Sequence, residues 1–163
     1  MKYVSTRNNQ IELSFKDVFI KGLSEDGGLF VPKTLEAYKE KDLNDFKKLN
    51  YNDLALKILH PFCNDFIDEK DLKLLIEKSY SKFRENEVVK INNLENLKLL
   101  ELYHGPTLAF KDIAMQFIGN LYEYYLKKNN HFLNIIVATS GDTGAAAIDA
   151  IKGKKNMNIF VLH

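Results

Sequence analysis

The chain has 163 residues, of which 45% are hydrophobic and 28% charged, the balance of a soluble globular protein forming one compact domain, or one small domain and part of another. A formal net charge of +1 argues against nucleic acid or an acidic membrane surface as a partner, and no apolar run is long enough to span a bilayer. Cys63 is the only cysteine, which excludes an internal disulfide and a cysteine-built metal site; with no signal-peptide pattern after Met1, the expected setting is the cytoplasm.

The first ninety or so residues read as mostly helical. Ser14 and Asp17 have the spacing of a capping box, and Phe15, Val18, Phe19 and Leu23 follow as one apolar face. Gly27-Gly28 breaks the chain, and Leu29–Pro32 is a short extended piece ended by proline. Asn52 or Asp53 is placed to cap a helix through Leu54, Ala55, Ile58 and Leu59, which is expected to stop near His60-Pro61 because proline disfavours helix in the residue before it. Asp68, with Asp71 three residues on, starts another helix, Ile67 and Leu72 being placed as a hydrophobic staple. That helix carries Leu72, Leu75, Ile76 and Tyr80 along one side. Nothing in this region has catalytic spacing.

After Val88 the pattern changes. Residues 97–102 predict a buried strand, and His104-Gly105-Pro106 a turn. A long amphipathic helix follows over about 108–128, with Ile113, Phe117, Leu121, Tyr124 and Tyr125 as its apolar side. Leu133–Ala138 is a second strand, Thr143–Ile151 a second helix ending by Gly153, and Asn158–Leu162 a third strand. Strand, helix, strand, helix, strand at this spacing predicts the start of a parallel βαβαβ sheet, so the fold class is α/β. A third strand directly before His163, with only two crossover helices to cover the sheet, is the pattern of an incomplete domain.

Two stretches carry chemistry. Lys111 follows Gly105-Pro106-Thr107-Leu108-Ala109-Phe110 at the start of the long helix, where the positive end of the helix dipole opposes a cation. A lysine that forms a Schiff base must spend time as the neutral amine, and such a setting encourages that form; the same position also suits a solvated lysine on an amphipathic helix. Ser140, Gly141, Asp142, Thr143 and Gly144 lead from the second strand into the second helix. Small residues, hydroxyls and a helix N-terminus make a receptor for a carboxylate or phosphate, or else an ordinary strand-to-helix turn. The loop has neither P-loop nor dinucleotide-fingerprint spacing. His60, His104, His131 and His163 show no metal-ligand spacing, His104 suits a turn or packing role, and Cys63 suits a buried apolar position. Thr6-Arg7 has the chemistry to hold an anion, but one arginine in a tail is poor evidence of a site.

Together, His104–Asp112 and Ala138–Ala146 closely resemble the threonine synthase family, and Tyr3–Arg7 and Gly22–Pro32 are similar to that family's opening segment. The resemblance runs from residue 3 onward and covers only the family's N-terminal portion. It implies the tryptophan-synthase-β-like fold, with residues 1–92 as the N-terminal helical region and 93–163 as the first, truncated part of the catalytic domain. It also implies pyridoxal 5'-phosphate as cofactor and O-phospho-L-homoserine as the small-molecule substrate, converted with water to L-threonine and phosphate. Lys111 matches the lysine that forms the internal aldimine and then shuttles protons. Ser140, Gly141, Thr143 and Gly144 match the loop that receives the substrate carboxylate, and Asp142 the position near the cofactor's phenolic oxygen. No metal is implied. In this fold the groups gripping the cofactor phosphate and the pyridine nitrogen come from the C-terminal half, so the polypeptide alone is expected to be inactive and to need that half as its partner. Two other readings stay open: a threonine-synthase-like phospholyase, and a non-catalytic folding or association unit of a split enzyme.

Overall fold

The computed structural model describes residues 1–139 and 141–162. The chain divides into two compact units, 1–74 and 75–163, whose boundary falls within one helix.

The first unit contains a small sheet where the sequence suggests mainly helix. Strands β1 (Lys2–Ser5), β2 (Glu12–Ser14) and β3 (Phe30–Pro32) lie in the order β2-β1-β3, all antiparallel. Strands of three or four residues are too short to display an alternating pattern, and the partners Val4 and Val31 are far apart in sequence. Of these strands only β3 matches the extended piece expected after the glycines. Gly28 lies so close to this sheet that a Cβ there would stand 2.3 Å from the Ser5 hydroxyl. Ser5 donates to the Asp26 carboxylate at 2.8 Å, and the Arg7 guanidinium donates to the Asp26 carbonyl at 3.0 Å. Arg7 therefore has an internal structural partner.

Helix α1 (Phe15–Lys21) has the expected capping box: the Asp17 N–H donates to the Ser14 hydroxyl, and the Ser14 N–H to the Asp17 carboxylate. After the short helix α2 (Glu40–Phe46), α3 (Tyr51–Cys63) is capped by Asn50, two residues before the expected start. It also runs through Pro61 instead of stopping there. Pro61 faces solvent in the last turn, where water can satisfy the carbonyl that its missing N–H leaves behind. The Phe62 carbonyl, one of the last-turn acceptors, takes the Tyr3 O–H at 2.7 Å. Burial, then Cys63 and Asp65, push the Tyr3 phenol up to about 12. Cys63 is buried as expected, and burial followed by Asp65 pushes its thiol up to about 12, which leaves it inert.

Helix α4 (Glu69–Tyr80) starts where Asp68 accepts the Asp71 N–H, and both staple residues, Ile67 and Leu72, are fully buried. In the second unit, β4 (Lys90–Leu94) and β5 (Leu97–Glu101) form an antiparallel hairpin turning at Glu95, whose φ is +43°. This corrects the expected topology in detail. Local hairpin closure takes residues 97–101, so β5 is not hydrogen-bonded to the parallel pair, and Leu97 is 72% exposed instead of buried. The parallel element is β6 (Leu133–Ala138), α6 (Asp142–Ile151) and β7 (Met157–Leu162), with register running from Leu133↔Met157 to Ala138↔Leu162. One face of this pair is half-buried or buried, whereas Ile136 and Phe160, register partners on the other, are 71% and 54% exposed.

Helix α5 (Asp112–Asn129) carries the core of this unit, and part of its buried face is polar. Leu121 and Tyr125 are buried as expected; beside them Asp112, Gln116, Asn120 and Glu123 are buried too. Gln116 donates to Asp149 at 2.6 Å, Asn120 donates to the Ser79 hydroxyl, and Lys154 donates to the Asn120 side-chain Oδ1 at 2.6 Å. Glu123 pairs with Lys78 at 2.8 Å and Lys127 at 2.9 Å and accepts the Lys155 N–H. Burial alone would raise the Glu123 carboxyl, but the hydrogen bonds from Lys78, Lys127 and Lys155 lower it to about 2. Its contribution to stability is thus complete above the ordinary carboxylate value and is lost as pH falls from there toward about 2. Glu123→Gln is expected to lose about 2 kcal/mol at neutral pH, after discounting for the half-exposed lysines, and clearly less near pH 3. Urea denaturation at the two pH values checks this; an equal loss at both would refute it.

Candidate functional site

The approach to α5 is built by one carboxylate. Asp112, with 0% exposure, accepts the Thr107 N–H at 2.8 Å on one oxygen and the Thr107 hydroxyl at 2.7 Å on the other. Gly105 lies against the same side chain: a Cβ there would stand 2.4 Å from the Asp112 Cβ. Between them Leu108 has φ +62°, a left-handed conformation that costs a non-glycine residue roughly 1–2 kcal/mol. This is why the helix starts at Asp112 and not near 108: a left-handed residue cannot join a right-handed turn. The Leu108 N–H returns to the Gly105 carbonyl, the Asp112 N–H to Ala109, and the Met115 N–H to Lys111.

Lys111 thus sits at the N-cap of α5, in helical conformation and half-buried. Its amine lies 4.7 Å from the centroid of the Phe110 ring and, among the described residues, forms no ion pair. Upstream, His104 is buried with its Nε2 3.0 Å from Glu101, and its carbonyl accepts the Arg84 N–H. Glu101 also accepts from Asn92, which ties the hairpin to the residue before the lysine turn. The Tyr103 hydrogen bond, against some burial, and then His104 hold the Glu101 carboxyl below its ordinary value.

The second segment follows β6. The Thr139 N–H donates to the Leu162 carbonyl, the Gly144 N–H returns to Gly141 at 3.0 Å, and Gly144 is buried against the Thr139 side chain. Ser140 lies outside the described residues. Gly141 is the N-cap of α6 and supplies no side-chain cap, so the Asp142 and Thr143 N–H groups have no acceptor within the helix. A Cβ on Gly141 would meet nothing within 4 Å among the described residues beyond its chain neighbours. Asp142 is exposed in the first turn and Thr143 half-buried.

The α5–α6 contacts decide whether the two segments share a place. Gln116 meets Asp149, a Cβ on Gly119 would stand 2.7 Å from the Ala150 carbonyl, and Asn120 meets Lys154. Partners rise together along both helices, so α5 and α6 run parallel. At 1.5 Å per residue, Asp112 lies about 6 Å before Gln116 and Asp142 about 10 Å before Asp149. Lys111 and the 141–144 turn are therefore at the same end of the helix pair, beyond the carboxyl end of β6, where open α/β sheets bind ligands. The polar stripe at 112, 116, 120 and 123, spaced by three and four, is what the apolar pattern conceals in the sequence.

Residues 2–80 match the family model for the threonine synthase N terminus. The chain is 44% identical over 177 residues to threonine synthase of Saccharomyces cerevisiae, covering 99% of itself and 34% of that protein. Its fold is similar to the crystal structure of PLP-bound threonine synthase from Brucella melitensis, with a TM-score of 0.94 and 39% identity over 99% of this chain and 35% of that one. The chain is homologous to the N-terminal part of threonine synthases. It spans about a third of the length of the relatives it matches. The α/β architecture with small sheets is that of the N-terminal region of threonine synthase structures. Threonine synthase-like 2 of Xenopus laevis is also similar, at 39% identity over 99% of this chain and 34% of that protein. Among the described residues no helix is long and apolar enough to cross a membrane.

Proposed function

We propose that this chain forms the lysine-bearing part of a cytoplasmic threonine synthase, which converts O-phospho-L-homoserine and water to L-threonine and inorganic phosphate. The observation that carries this reading is the placement, at one end of the α5–α6 pair, of an amine that forms no ion pair among the described residues and a helix start to which Gly141 gives no side-chain cap. These residues fit pyridoxal phosphate. Lys111 would hold the cofactor covalently through Nζ, which among the described residues forms no ion pair. The cofactor, when bound, supplies an electron sink for charge developing on the substrate carbons. The Thr143 and Gly144 side of the turn, with Gly141 and Ser140, would receive the substrate carboxylate at the helix start. Asp142 would face the cofactor's phenolic oxygen. Lys111 Nζ would take the proton from the substrate α-carbon and later move protons at the neighbouring carbons. The groups that hold the cofactor phosphate and pyridine nitrogen belong to the C-terminal part of the fold, so the 163-residue polypeptide alone is expected to form no threonine.

A threonine-synthase-like phospholyase is the second reading. Product analysis on the complete enzyme separates the two: threonine with phosphate supports the synthase, whereas a keto acid, ammonia and phosphate establish the lyase. The open face bearing Ile136 and Phe160 favours a third reading, an association unit. Purified alone, the chain is expected to self-associate and bind a hydrophobic dye. A monodisperse, dye-free monomer in light scattering would contradict that expectation.

A further inference from the structure

We infer that Asp112 is a positioning residue for Lys111: its buried carboxylate clasps Thr107 and so fixes the turn on which the lysine amine is presented. The inference rests on the reading of Lys111 as the cofactor lysine. A fully buried carboxylate is costly unless it is paired or well hydrogen-bonded. Among the described residues, Asp112 pairs with no lysine or arginine; its side-chain partners are the two Thr107 donors, at 2.8 and 2.7 Å. The start of α5 supplies the remaining favourable field. A helix cap would place a carboxylate before the helix and aim it forward at N–H groups. Asp112 instead stands at the first helical residue and reaches backward, to the residue four before Lys111.

The backward reach has a geometric consequence. Residues 107 and 112 are tied together, and the four residues between them include Leu108 at φ +62°. A left-handed leucine persists only where its surroundings over-determine it. The clasp on Thr107 and the buried Ala109 supply that constraint, and Lys111 is the next residue but one after Ala109. Releasing the clasp lets Leu108 relax, which turns the Lys111 stem without removing any group that touches cofactor or substrate. A displacement on the order of 1 Å at a reacting group can cost about 100-fold in rate.

The test uses the complete enzyme. Four forms are compared: wild type, Asp112→Asn, Thr107→Val and Thr107→Ser. Borohydride trapping with pyridoxal phosphate and peptide mapping on wild type judges the underlying reading; label on another lysine ends that reading, whatever the variants do. With Lys111 confirmed as the labelled residue, Asp112→Asn and Thr107→Val are expected to lower kcat per folded molecule by about 10-fold or more with KM nearly unchanged. Thr107→Ser, which keeps the hydroxyl, restores wild-type behaviour. Independently of activity, in the cofactor-free protein, the Thr107 amide of Asp112→Asn should lose about 10-fold or more of its hydrogen-exchange protection. Lys111 should then acylate faster relative to the other lysines as internal standards. If Asp112→Asn does not fold, Thr107→Val against Thr107→Ser decides the question. The proposal is overturned if the variants lose thermal stability while kcat per folded molecule and Lys111 acylation stay at wild-type values.

Discussion

Lys111→Ala is expected to abolish threonine formation by the complete enzyme, by about 1,000-fold or more, while leaving its stability within roughly 0.5 kcal/mol of wild type. The separation of the two effects follows from the surroundings of the side chain. Among the described residues its amine lies against the Phe110 ring at 4.7 Å, a contact that at a half-exposed site contributes little to folding. The backbone of residue 111 keeps its role, accepting the Met115 N–H, because alanine suits the helical conformation observed there. Lys111→Arg should fail as completely, since a guanidinium does not give up its proton to become a nucleophile. The decisive measurements are cofactor absorbance, trapped label at residue 111 and thermal unfolding on the same preparations. Activity within tenfold of wild type in Lys111→Ala would remove this lysine from the chemistry. A large loss of stability would mean that it supports the fold in a way its contacts do not indicate.

How much of this was legible in the sequence depended on whether the signal was local. Ser14 and Asp17, Asp68 and Asp71, and Ile67 and Leu72 each act over three to five residues, and each takes the role its spacing predicts. The run Leu133–Ala138 is recovered with the same limits because a continuous apolar run bounded by polar residues has one simple solution. What escaped is non-local or concealed. The sheet β2-β1-β3 joins Val4 to Val31, and no window of the sequence spans that pairing. Leu97–Glu101 was legible as a strand, but its partner was not, because the turn at Glu95 needs a left-handed residue that no glycine announces. At the candidate site, Lys111 and the turn near Gly141 stand out as residue types in a particular order. Asp112 does not, because an aspartate at a helix start looks like ordinary dipole compensation until its two bonds to Thr107 are seen.

Gly105→Ala is expected to destabilise the protein by about 2–4 kcal/mol, one of the largest effects available from a single added methyl group. Conformational freedom is not the reason, for Gly105 is not among the left-handed residues. The reason is space. The added carbon would stand 2.4 Å from the Asp112 Cβ and 2.5 Å from its Oδ2, atoms of a short, fully buried side chain that holds Thr107 in its present position. Either the carboxylate swings away and leaves the two Thr107 donors without this acceptor, or the first turn of α5 shifts bodily. Both routes move Lys111, so loss of stability and loss of activity should come together here, in contrast to Lys111→Ala. A double-mutant cycle identifies the contact responsible. In an Asp112→Gly background the clash has no partner, and Gly105→Ala should then cost at least about 1 kcal/mol less than in wild type. Additive effects of the two changes in urea denaturation would mean that the backbone at Gly105, and not the buried carboxylate, demands glycine.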